Sequence, residues 1–227
     1  MANFTSKDFI DSLKHEFESY ANPHIAANQQ AYVRNKFQYY GLTTTIRRAI
    51  QRPFLIKEFL PPKKDLFVLT QELWQKEQRE YQYFTQELVF KYAKQVQKQD
   101  IVIYEYMVVN KSWWETVDFI AVKLMGNYFK TFPELKEMYV DKWLKSNNIW
   151  LQRSALLFQL KYKEGLDTQL LSKCIVSLLG SKEFFINKAI GWVLREYSRT
   201  NPEWVVNFTQ KKALNPLSKR EALRLIK

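Results

Sequence analysis

Residues 111–122, KSWWETVDFIAV, set two tryptophans just ahead of a carboxylate that lies among apolar neighbours. On a helix, Trp114 and Asp118 are four residues apart and share one face, with roughly 5–6 Å between their Cβ atoms. Two further stretches mix the same residue types. Arg153 follows Trp150 by three residues in NNIWLQRSALLFQLKYK, and Trp192 follows Gly191 on a segment that also carries Arg195 and Glu196. A charge inside an apolar helix costs free energy unless it is paired or used. Pairing Asp118 with Arg153 would be a structural answer, and tryptophans on amphipathic helices are usually core. If the acid is used instead, a carboxylate and an indole face both attract positive charge. The residues alone leave both readings open.

Composition narrows the chemistry. The chain has 227 residues, 46% of them apolar and 16% aromatic, enough for a sizeable core in one domain or a continuous solenoid. Its 5 glycines are scattered, so there is no glycine-rich phosphate loop and no dinucleotide fingerprint. With 2 histidines, a zinc site is not expected; His15-Glu16 begins like a zincin motif, but Ser19 stands where the second histidine should be. The lone cysteine, Cys174, excludes an internal disulfide, sits in an apolar run that suggests a buried, inert thiol, and fits a reducing, cytoplasmic setting. The first residues carry charges throughout and lack an apolar signal core, and no apolar run reaches the length of a membrane span, so no membrane is expected among the partners. Lys and Arg number 35 against 23 Asp and Glu, a net charge of +12. That excess favours a polyanionic partner such as nucleic acid.

The elements that must position these residues are helices almost throughout. Phe9, Leu13, Glu16 and Phe17 follow the helical spacing. NPHIAANQQAYVRNKFQYYG starts on Asn-Pro and is expected to close on Gly41 as a C-cap. Thr43–Thr45 offer an N-cap for IRRAIQRPFLIKEFL, bent or interrupted at Pro53, and two prolines precede DLFVLTQELWQ. KEQREYQYFTQELVFKYAKQV is a long amphipathic segment. Further helices are expected at 99–109, 113–129, 133–145, 148–163, 167–179, 183–199, 202–211 and 216–226. IVIYEYMVV leans toward a strand but has no partner, so it reads as a buried helix. Helix pairs recurring about every 35 to 40 residues imply an all-α fold: a curved α-solenoid of degenerate HEAT-like repeats, one domain over 1–227, whose concave basic face would cradle DNA.

Taken together, SWWETVD, NNIWLQRSALLFQLKYK, KEFFINKAIGWVLREY and NPLSKREALRLIK resemble the DNA alkylation repair enzymes of the AlkD-like family, as do AYVRNKFQYYGL with the following Arg pair and ELWQKEQREYQ. The resemblance runs from about residue 9 to the end of the chain. It implies a HEAT-like solenoid that excises N3- and N7-alkylated purines from double-stranded DNA without a metal or organic cofactor. Carried onto this sequence, it places the catalytic carboxylate on Asp118, the indoles flanking the lesion's sugar on Trp114 and Trp192, the active-site arginine on Arg153, and the aromatic of the second helix on Tyr32. Arg153 would hold a backbone phosphate. Glu115 stands where relatives often have Asp, a change expected to be neutral. The second helix, AANQQAYVRNKFQYYG, is present, which favours an active enzyme.

Alkylation at N3 or N7 makes a purine cationic and weakens its glycosidic bond. As the bond breaks, positive charge moves onto the deoxyribose, where a nearby carboxylate would stabilise it and orient water. The resemblance also implies that the damaged base stays in or near the duplex, unlike in base-flipping glycosylases. Two other readings share parts of this pattern. A non-catalytic DNA-binding solenoid keeps the charge but has no need of Asp118, and a protein-binding HEAT scaffold accounts for neither the charge nor the Trp–Asp–Arg set. With no heptad seam, a monomer is expected.

Overall fold

Helix after helix opens on a side chain that accepts a backbone N–H: Thr5, Asn22, Thr43, Asn148, Asp167, Asn201 and Asn215. Each supplies one of the partners that a helix start otherwise lacks. The computed structural model describes residues 5–226, and all of the regular structure among them is helical. A single parallel bridge between Gln38 and Gln78 is the sole β-type pairing among the described residues. The chain divides into two compact units, Met1–Gln95 and Val96–Lys227.

In the first unit, α1 (Ser6–Ser19) buries Phe9, Ile10, Leu13 and Phe17 along one face, while Glu16 stays outside the core. It is followed by α2 (Pro23–Tyr32), α3 (Thr44–Gln51), α4 (Leu66–Gln75) and α5 (Arg79–Lys91). A 3-10 turn, Arg52–Leu55, interrupts the chain at Pro53 as expected. The end of α2 differs from expectation. Arg34 and Asn35 adopt left-handed backbone angles, φ 58° and 54°, and the helix stops at Tyr32 rather than Gly41. The extended segment that follows is held by the buried Glu80, whose carboxylate accepts the N–H groups of Tyr40, Gly41 and Leu42 at 3.0–3.1 Å. A side chain far away in sequence therefore satisfies backbone groups that a longer helix would have satisfied internally.

The second unit contains α6 (Ile101–Val109), α7 (Trp114–Phe119), α8 (Gly126–Thr131), α9 (Lys136–Lys145), α10 (Ile149–Leu157), α11 (Thr168–Ser177), α12 (Phe184–Tyr197), α13 (Pro202–Lys211) and α14 (Pro216–Leu223). IVIYEYMVV is helical, as α6, with Ile101, Ile103, Tyr104, Met107 and Val108 buried. Between α7 and α8 the helix continues through a π-helical segment, Ile120–Met125. Such widened turns are frequent beside functional groups, and this one starts two residues after Asp118. Helix α12 lies against both α10 and α14.

Candidate active site

Asp118 occupies the last turn of α7 and Arg153 the middle of α10, and the two meet side chain to side chain. Arg153 Nε donates to Asp118 Oδ1 at 2.7 Å and Nη2 donates to Oδ2 at 2.9 Å. Nη1 donates to the carbonyl of Phe185, in the first turn of α12, at 2.5 Å. One guanidinium thus ties α7, α10 and α12 together. The side chains are 4% and 15% exposed, so Arg153 is buried while Asp118 retains access to solvent. A planar fork on both carboxylate oxygens fixes the acid's orientation as well as its position.

Burial raises the Asp118 carboxyl above its ordinary value, the hydrogen bonds and charge of Arg153 pull it back, and the charge of Glu115 adds to the rise. Both oxygens accept from the guanidinium, the arrangement of an ionised carboxylate. Each oxygen accepts one of these bonds and retains a further lone pair. Glu115, which stands where relatives often have Asp, thus acts on Asp118 through its field.

Trp114, Asp118, Arg153 and Trp192 line one cleft of about 310 Å³, together with Phe184, Phe185, Lys188 and Arg195. The four-residue spacing of Trp114 and Asp118 does place them at the same site. The adjacent tryptophans divide their roles. Trp113 is 6% exposed and packs in the core against Trp150 and Phe185, with ring centroids 5.8 and 5.1 Å away. Trp114, the first residue of α7, is half-buried on the cleft side, and Trp192 is half-buried on α12. The site therefore has an aromatic foundation and two indoles on its walls.

Other expected residues fall differently. Tyr32 is the last residue of α2 in the first unit and is 71% exposed. Arg153, expected at a backbone phosphate, has three of its N–H groups committed to Asp118 and Phe185. Spacing from Trp192 would have found the missed lining residues: Lys188 and Arg195 lie four before and three after it, and Phe185 and Phe184 seven and eight before, all on one helical face. No group of three or more His, Cys, Asp or Glu side chains able to hold a metal occurs among the described residues. No helix among them is long and apolar enough to cross a membrane. Cys174 is buried, and burial pushes its thiol up to about 12.

The family model described as DNA alkylation repair enzyme matches residues 13–226. A solved structure described as a predicted DNA alkylation repair enzyme from Enterococcus faecalis is 32% identical and superposes with a TM-score of 0.85, covering 91% of this chain and 96% of that one. A comparison with curated proteins finds no significant match. With a match to the family model across nearly its whole length and that structural likeness, this chain belongs to the DNA alkylation repair enzyme family.

Proposed function

We propose that the protein is a DNA glycosylase that removes cationic N3- and N7-alkylated purines from duplex DNA by hydrolysing the N-glycosidic bond. The observation that carries this reading is the carboxylate of Asp118, still partly open to solvent and held by Arg153 in a cleft walled by Trp114 and Trp192.

In the proposed reaction the C1′–N bond breaks, and its electron pair returns to the purine nitrogen. The leaving base becomes neutral while positive charge builds on the deoxyribose ring. Asp118 faces that charge and lowers the energy of the transition state more than that of the ground state. Water adds to C1′ and loses a proton, for which a free lone pair of Asp118 is an acceptor. Arg153 works in two senses: its charge weakens the field of the carboxylate, and its fork fixes where that field points. The indoles exclude water from the sugar and turn π-density toward the cation. Nothing in this scheme reads base identity, so selectivity comes from the lability that the positive charge gives the lesion. We place Arg153 as a positioning residue for Asp118, with its remaining N–H groups left for a phosphate. Tyr32 stands as a further DNA contact in the first unit.

The scheme is tested by incubating the protein with duplex DNA carrying 7-methylguanine and analysing for free base. Release of 7-methylguanine with an abasic strand left behind supports it. Binding without release would leave a DNA-binding protein that senses damage without excising it.

A further inference from the structure

Glu221, on α14, divides its carboxylate between two cations of the cleft wall. Its Oε1 lies 2.8 Å from Lys188 Nζ and its Oε2 accepts from Arg195 Nη1 at 2.5 Å. Glu221 itself is outside the cleft lining and nearly buried, with its side chain 11% exposed, whereas those of Lys188 and Arg195 are 40% and 23% exposed. The position of α14 is set by a close approach. A Cβ on Gly191 would come within 2.5 Å of Glu221 Cβ and 3.0 Å of the Ser218 carbonyl, so only glycine lets the helix sit there. Ser218 Oγ donates to the Asn187 carbonyl at 2.7 Å and closes the same contact.

Lys188, Trp192 and Arg195 follow i, i+4, i+7 spacing and share one face of α12. Their backbones are about 10 Å apart along the helix axis, but their charged ends converge on the two oxygens of one carboxylate and meet the cleft as a pair beside the indole. Both share a cleft with Asp118, whose negative charge would draw them inward. Glu221 holds them from the outside instead and leaves Asp118 to Arg153. Each cation keeps N–H groups beyond the one given to Glu221, since a lysine has three and an arginine five.

We propose that Glu221 is a positioning residue that presents Lys188 and Arg195 together at the cleft mouth, as a paired cationic clamp for the DNA backbone beside Trp192. The clamp rests on the glycosylase reading for its place in the reaction, but its existence is a question of binding. A long cationic side chain loses rotamer freedom when it docks a phosphate, and Glu221 removes that freedom beforehand.

The sign of one effect tests this. On charge alone, Glu221→Gln removes an anion near the phosphates and should tighten binding. If Glu221 positions the clamp, Glu221→Gln instead weakens binding to an unmodified duplex by about 3- to 10-fold, the scale of losing preorganisation in one contact. Asp118→Asn, which also removes a negative charge from the cleft, serves as the control and binds as tightly as wild type or more so. Lys188→Ala and Arg195→Ala each reduce the slope of log K against log salt by about 1, as expected for one lost phosphate contact. Tighter binding by folded Glu221→Gln would overturn the positioning role. Wild-type salt slopes in both alanine variants would overturn the clamp, and these slopes decide the matter if Glu221→Gln does not fold. Failure of the wild-type protein to release base would refute the glycosylase reading and leave these binding results to judge the clamp separately.

Discussion

Removing Arg153 separates its positioning role from phosphate binding. Arg153→Ala deletes two charge-assisted hydrogen bonds to Asp118 and one to the Phe185 carbonyl. Charge-assisted bonds contribute about 1.5–3 kcal/mol each, but the three belong to one group and do not add. Breaking a buried ion pair costs about 3–5 kcal/mol, because the surviving charge is left without its partner. For a chain of this size that predicts a fall in Tm of roughly 6–20 °C. The second readout is the pH dependence of base release. Arg153 holds down a carboxyl that burial raises, so its loss moves the acid limb of the rate profile toward higher pH. The linked stability has a definite sign. A carboxyl raised in the folded state favours folding when protonated, so the deficit of Arg153→Ala shrinks on acidification through the raised titration and grows toward neutral pH. Arg153→Lys, which keeps the charge but not the fork, should fall between the two proteins. The assays are thermal melts and single-turnover rates over a pH series. An Arg153→Ala protein with wild-type stability and an unmoved acid limb, but weaker DNA binding, would refute the positioning argument and make Arg153 a phosphate ligand.

Trp114→Ala and Trp192→Ala should each slow single-turnover base release, while their melts shift by less than the roughly 3–5 kcal/mol typical of a fully buried tryptophan, since both are half-buried. Melts and rates taken on the same preparations check this. Glu80→Gln should destabilise the first unit by about 1–3 kcal/mol, measured by urea unfolding, because an amide cannot accept all three N–H groups of Tyr40, Gly41 and Leu42 with the oxygens the carboxylate uses. Cys174, buried and with its thiol raised to about 12, should resist a thiol reagent at about pH 8 in the native protein and react when the chain unfolds.

Much of this site could be read along the chain because it is built from local helical spacing. Trp114 and Asp118 are one turn apart, so a four-residue interval was enough to place them together. IVIYEYMVV could be assigned to a helix because no partner strand exists, although its alternation favours a strand. What spacing could not supply was depth and partnership. Trp113 and Trp114 are adjacent and alike, yet only the fold shows that the first packs against Trp150 and Phe185 and the second lines the cleft. The Asp118–Arg153 pair joins residues 35 apart; the residues allowed such a pairing, while the family resemblance implied a backbone phosphate for the arginine, and only the fold shows the pair made. The end of α2 was misplaced for a related reason. The N–H groups of Tyr40, Gly41 and Leu42, in the segment where the helix was expected to end, are satisfied by Glu80, a contact nearly forty residues distant that no local signal announces. Glu221 was hidden in the same way, its importance depending on the approach that Gly191 permits.

The central claim rests on the charge of Asp118, and Asp118→Asn tests it with little change in size. The measurement is the single-turnover release of 7-methylguanine from a methylated duplex, with a melt confirming that the variant is folded at the assay temperature. A preorganised electrostatic group facing the sugar cation predicts a rate lower by roughly 10²–10³, with DNA affinity held or raised. A folded Asp118→Asn protein that releases base at the wild-type rate would contradict the account.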